Sequence, residues 1–250
     1  MTAVAGIEGR VALVTGTSSG LGRRFAQVLD GAGARLVLAS RRREADRDLA
    51  AQLREAWPAA CDVRLAADRE ALVSAAVEHF GQVDILVNNA GVAYSGPAED
   101  ESAEQWQDLI DTNLTGLFAL TQLVGRHMLD RGGGTIVNVA SPAAATSLDR
   151  YGLAGYGATK AGVVALTREL AAQWGGRGVR VNALAPSWFP TATTGFLEDG
   201  EQVAWIRAHT PLGRPPRPDE LDGPLLFLAG DASSYVTGQT LTVDGGWTCR

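Results

Sequence analysis

Short apolar runs alternate with helical patterns along the chain, and this alternation limits the fold more than any other feature. Residues 10–15 are apolar and β-branched enough for a strand, and a glycine-rich turn then opens an amphipathic helix over 21–30. Gly31 and Gly33 supply the stop, as expected where a helix gives way to a left-handed residue. A second strand is expected over 35–39, followed by a charged helix at about 44–57. Further strand candidates are 85–87, 135–139, 180–184 and 240–243, and their nearly continuous apolar character suits parallel strands covered on both faces. Ser102 and Gln105 have the spacing of a capping box that opens a helix running to about residue 129. Another helix covers 155–174 and ends in Gly175 and Gly176. Such alternation predicts an α/β protein built on a doubly wound parallel sheet of about seven strands, helices on both faces, in a single domain over residues 1–250. The segment 187–218 breaks the rhythm. It is long, rich in proline and aromatics and without a strand pattern, so it reads as a substrate loop or lid.

Charge and composition exclude several functions. With 22 basic and 28 acidic residues the net charge is −6, and the only basic run is Arg41, Arg42 and Arg43, so no nucleic-acid surface is expected. No apolar run approaches the roughly 18 residues of a membrane span. The chain does not open on a charged region followed by an apolar leader, and Cys61 and Cys249 form no redox or metal spacing. These features fit a cytoplasmic protein. The three histidines are scattered and offer no metal site.

After the first strand comes Thr15, Gly16, Thr17, Ser18, Ser19, Gly20, Leu21 and Gly22, opening directly into a helix. Glycines let the backbone approach a pyrophosphate, and the helix N-terminus offers free N–H groups and partial positive charge. Strand before and helix after give the context a dinucleotide-binding turn requires, which makes the sheet Rossmann-type.

The spacing of that turn resembles the glycine motif of the short-chain dehydrogenase/reductase family. Asn88, Asn89, Ala90 and Gly91 are similar to the family's N-N-A-G, and Tyr156 to Lys160 matches its Y-x-x-x-K. Asp62 and Val63 stand where the family contacts adenine, and 231–239 with 243–246 match its C-terminal pattern. The resemblance runs from about residue 9 to 246. It implies that the glycine-turn residues, Asp62, Val63, Asn89, Ala90 and Gly91 hold a nicotinamide dinucleotide. Pro186, Phe189 and Thr191 would then flank its carboxamide. Two departures stand out: fourteen residues separate Ser141 from Tyr156, two more than is usual, and Ser187 replaces the family's glycine after Pro186.

Tyr156 and Lys160 are four apart and share a helix face, which on its own also describes many solvated helices. The composition adds weight. Of 22 basic residues 21 are arginine, and the single lysine falls at this position. A compact ammonium lowers a nearby phenol's pKa and brings it toward proton transfer at working pH. The resemblance makes Tyr156 the general acid/base and Lys160 its tuner and ribose ligand. Ser141 orients and stabilises the substrate oxygen, and Asn113 belongs to a water-linked relay reaching Lys160.

NAD-specific sites place a carboxylate at the end of the second strand; here Ser40 and Arg41 stand there. NADP(H) is therefore the expected cofactor, with NAD(H) not excluded. Tyr94, Arg150, Tyr151, Trp188, Phe196 and Trp205 are candidate substrate-wall residues. The leading expectation is an NADP(H)-dependent oxidoreductase interconverting a ketone and a secondary alcohol, of carbonyl or 3-oxoacyl type. NAD-dependent oxidation of a sugar or cyclic alcohol, and a non-catalytic nucleotide-binding scaffold, are the alternatives. The resemblance further implies a homotetramer.

Overall fold

The computed structural model describes residues 6–147, 149–190 and 200–249. Seven parallel strands form one sheet in the order β3-β2-β1-β4-β5-β6-β7. The strands are β1 (Val11–Thr15), β2 (Arg35–Ser40), β3 (Ala56–Ala60), β4 (Ile85–Asn88), β5 (Gly134–Val139), β6 (Val179–Pro186) and β7 (Thr240–Val243). Both faces are covered, and alternate residues of each strand serve opposite sides. Val14, Leu36, Leu38 and Val87 pack with Phe25 and Leu29 of α1 (Gly20–Gly31) and Leu225 of α8 (Asp222–Ala229). Leu13, Val37, Leu86 and Ile136 instead meet Leu72 of α3 (Ala66–Phe80), Leu120 and Met128 of α5 (Leu117–Arg131) and Leu170 of α6 (Ala154–Trp174). This two-sided burial is why the strands read as unbroken apolar runs.

Strand order reverses between β1 and β4, which pair through Val14 and Val87. A crevice opens beyond the carboxyl ends of strands at such a reversal, and ligands bind there.

Three elements depart from the sequence pattern. The charged helix expected through residue 57 is shorter: α2 is Arg43–Ala50, and Trp57 lies in β3. That strand pairs only with β2, and an edge strand tolerates Pro58, which cannot donate to a ladder. The helix expected over 102–129 begins with the capping box, Ser102 accepting from the Gln105 N–H at 3.2 Å and the Gln105 side chain returning to the Ser102 N–H. It then runs as α4 (Ala103–Ile110), a wide π-helical turn (Asp111–Gly116) and α5. The excursion after β6 carries a helix, α7 (Gly200–His209).

Candidate active site and cofactor groove

Gly16 leaves β1 with φ +73°, in the left-handed region, and a Cβ there would sit 2.7 Å from Asn89 Nδ2. At Gly22 a Cβ would lie 2.3 Å from the Gly16 carbonyl oxygen, so only glycine lets α1 pack this close to the turn. Thr15 joins the turn to the end of β4: its Oγ accepts the N–H groups of Asn89 and Ala90, each at 3.0 Å. Asn89 Nδ2 donates back to the Thr15 carbonyl at 2.8 Å. Ser19 stands at the start of α1 but gives it no side-chain cap, and no acid lies in the first turn. The first N–H groups of a helix have no partner within it, and this end is left attractive to an anion.

These groups border a cavity of about 690 Å³, within the size range of small-molecule sites. Gly16, Ser18, Ser19, Gly20 and Leu21 line one side; Asp62, Val63, Asn89, Ala90 and Gly91 line another. Ser40 and Arg41 border its β2 end, while Tyr156, Lys160, Pro186 and Phe189 border the opposite end. Thr17 and Gly22 lie behind the wall, and Thr191 is outside the described residues. A long groove with an uncapped helix end midway fits a dinucleotide whose pyrophosphate rests on α1.

The β2 end differs from the expected arrangement. Thr17 and Ser40 turn their hydroxyls inward to Asp46, a fully buried acid of α2, at 2.7 and 2.6 Å. Burial pushes the Asp46 carboxyl above its usual range, against the two hydrogen bonds and the charges of Arg42 and Arg23. Arg42 spans the groove mouth, donating from Nε to Ser18 at 3.2 Å and from Nη2 to Ser19 at 2.9 Å. Neither Asp46 nor Arg42 was singled out by sequence. The available signal for Asp46 was its place three residues before Leu49, on the buried face of α2.

Ser141 follows β5, and Tyr156 and Lys160 sit near the start of α6. The Tyr156 ring centre is 5.6 Å from Lys160 Nζ, and the Ser141 side chain is near enough to favour the charged form of the phenol. Lys160 is 4% exposed and donates to the Val139 carbonyl at 2.8 Å. Burial lowers its pKa from 10.5 to about 8. The expected lowering of the phenol is not seen: burial raises Tyr156, and the Ser141 side chain works against that rise.

Asn113 lies in the π-helical turn, fully buried. Its Oδ1 accepts the Val92 N–H and its Nδ2 donates to the Val92 carbonyl, both at 2.9 Å. A second hydrogen reaches Thr159 Oγ at 3.2 Å. The amide thus fixes the loop after Gly91, and no direct bond joins it to Lys160. Below, a polar ladder missed by sequence reading crosses the sheet: Asn88 donates to Thr121 and Asn138, and Asn138 donates to Thr167.

The substrate-wall candidates divide. Tyr94 donates to Asp108 at 2.7 Å, and Arg64 bridges Asp108 to Asp62. Tyr151, Trp188 and Trp205 form an aromatic cluster, with Tyr151 and Trp188 centred 4.7 Å apart, and Arg150 lies over the Trp205 ring. Trp247, near the chain's end, completes it at 4.8 Å from Trp205. None of these five candidates borders the main cavity; Trp188 borders a smaller one of about 350 Å³. Phe196 is outside the described residues.

A family model described as enoyl-(acyl carrier protein) reductase, one of the short-chain dehydrogenase/reductase set, matches residues 16–248. The chain belongs to the short-chain dehydrogenase/reductase family. It is 42% identical over 248 residues to D-threitol dehydrogenase of Mycolicibacterium smegmatis, covering 98% of this chain and 95% of that one. It is 42% identical to gluconate 5-dehydrogenase of Gluconobacter oxydans, over 97% and 96% of the two chains. The solved gluconate 5-dehydrogenase of Burkholderia cenocepacia, in complex with NADP and tartrate, superposes with a TM-score of 0.92 at 36% identity over 99% of each chain. This short-chain dehydrogenase/reductase is therefore an oxidoreductase acting on CH–OH groups.

Proposed function

We propose that the protein is an NADP(H)-linked dehydrogenase interconverting a secondary alcohol and a ketone on a small polyhydroxylated substrate, a polyol or sugar acid. The relatives named for threitol and gluconate oxidation support this class over the carbonyl or 3-oxoacyl substrate that the motifs alone suggested. The observation that carries the cofactor reading is the β2 end of the groove. Arg41 and Arg42 border it, and Asp46 beneath is covered by Ser40 and Thr17. Guanidinium groups bind a 2′-phosphate through charge-assisted hydrogen bonds.

When bound, the nicotinamide dinucleotide supplies hydride transfer. On this reading the Ser141 hydroxyl steadies the substrate oxygen and the Tyr156 phenol exchanges its proton. Lys160, held by the Val139 carbonyl, supplies positive charge beside that phenol, and Asn113 anchors the loop that walls the groove. A homotetramer in a cytoplasmic setting belongs to the same proposal. Trp106 and Phe118, large apolar side chains 44% and 37% exposed on α4 and α5, support association through these helices.

The test follows absorbance of the reduced nicotinamide with threitol, galactitol, gluconate and an aliphatic ketone, using both cofactors. We expect higher kcat/KM with the phosphorylated cofactor and with a polyol or sugar acid. Preference for NAD(H) would overturn the cofactor reading, and turnover of the simple ketone alone would overturn the substrate class.

A further inference from the structure

The Ser40 hydroxyl is fully committed on its donor side. Its hydrogen goes to Asp46 Oδ2 at 2.6 Å, and one lone pair receives the Arg42 N–H at 3.1 Å. A hydroxyl has a single hydrogen and two acceptor positions, so Ser40 can present only a lone pair to the groove. That lone pair accepts from a ribose hydroxyl; it has no hydrogen for a phosphate oxygen. Beneath it Asp46 is fully buried, its other oxygen held by Thr17 at 2.7 Å. A charge in such surroundings is weakly screened and acts strongly over short distances.

We propose that Asp46 is a positioning residue for cofactor choice. By taking the Ser40 hydrogen and placing negative charge under the groove floor, it disfavours a 2′-phosphate and limits the NADP(H) preference that Arg41 and Arg42 confer. The idea rests on the cofactor reading above. The carboxylate that NAD-specific sites offer directly to the ribose is, in this chain, one layer down and speaks through a serine. Arg42 and Arg23 are the cations that bear on it. Glu44, the neighbouring acid on the same helix, is exposed and paired with Arg47.

A purely structural alternative is that the acid only staples α2 to the β1–α1 turn and to the end of β2, since Thr17 and Ser40 come from those two places. Asp46→Asn separates the two roles. It keeps the size and removes the charge, and its amide donates where the carboxylate only accepted, so one hydroxyl must turn its hydrogen elsewhere. Binding of NADPH and NADH to the whole enzyme is titrated by nicotinamide fluorescence, which needs no substrate. We expect the ratio of Kd for NADH to Kd for NADPH to rise about tenfold, through tighter NADPH binding. Equal weakening of both cofactors, or an unchanged ratio, would overturn the proposal, because a staple gives that result.

Ser40→Ala provides a second arm should D46N not accumulate in folded form. It removes the lone pair offered to the ribose hydroxyl, so NADH binding should weaken severalfold with little change for NADPH. A loss confined to NADPH would mean that Ser40 donates to the phosphate, which also refutes the proposal. The ratio in the unaltered protein tests the cofactor reading, and its change in the variants tests the role of Asp46.

Discussion

Replacing Lys160 by methionine removes a buried cation while keeping most of the side chain's length, and the consequence depends on pH in a calculable way. In the unfolded chain the ammonium titrates near 10.5; burial in the fold brings it to about 8. Below about pH 8 both states hold the proton, and the fold carries a constant penalty for burying it. Between about 8 and 10.5 the unfolded chain binds a proton that the folded chain has given up. Stability therefore rises with pH through that window as the penalty is relieved. The distance between the two values, at about 1.4 kcal/mol per pH unit, amounts to roughly 3 kcal/mol in all. K160M lacks this dependence. Its loss of the bond to the Val139 carbonyl adds a pH-independent cost of about 1–3 kcal/mol, which cancels from the slope. Urea unfolding of both proteins, purified without cofactor, should give a stability difference that is flat up to about pH 7.5. It should then swing toward the parent by about 2 kcal/mol at pH 10. Other titrating groups are common to both chains and drop out. A difference that stays level across the window, or swings the other way, would refute the burial argument.

Two substitutions probe the rest of the site. K160R preserves charge but places a wider, planar head where Lys160 Nζ lies only 3.7 Å from a Cβ built at Gly91, so kcat should fall at least about a hundredfold while the thermal midpoint stays within a few degrees; near-parental turnover would contradict a need for a compact ammonium. G22A pushes a methyl to 2.3 Å from the Gly16 carbonyl, and should weaken NADPH binding about tenfold or more in a fluorescence titration, with a stability loss of about 1–3 kcal/mol.

Much of the fold was legible because the strands are buried on both sides and the turns carry glycine where the backbone demands it. The capping box at Ser102 and the Tyr156–Lys160 pair could be read for the same reason: each is local, set by residues three or four apart. What sequence reading missed is set by distant parts of the chain. Trp57 and Pro58 sit in an edge strand with one partner, built mostly of alanine and proline, which are poor strand formers, so local preference does not mark it. Asp46, among the arginines of α2, looks like a solvated acid until the fold brings Thr17 and Ser40 onto it. Trp247 joins the aromatic cluster from the far end of the chain, across 42 positions from Trp205. The rise of the Tyr156 phenol reflects the depth of the cleft, which no spacing encodes.

The wide turn at Asp111–Gly116 has a consequence for how this chain can change length. A π-helical turn holds one residue more than the α-helix on either side of it, yet leaves both flanking helices with their faces as they were. Removing a single residue inside it would let α4 run straight into α5, with Leu109 and Leu120 still turned to the interior. Asn113 would lose its place against Val92. At this one spot the backbone can shorten without disturbing the scaffold while the loop walling the groove comes adrift. Elsewhere in the helix a one-residue deletion rotates everything beyond it by about 100°. Architecture and chemistry are thus written into the same helix but are separable there by one residue of length.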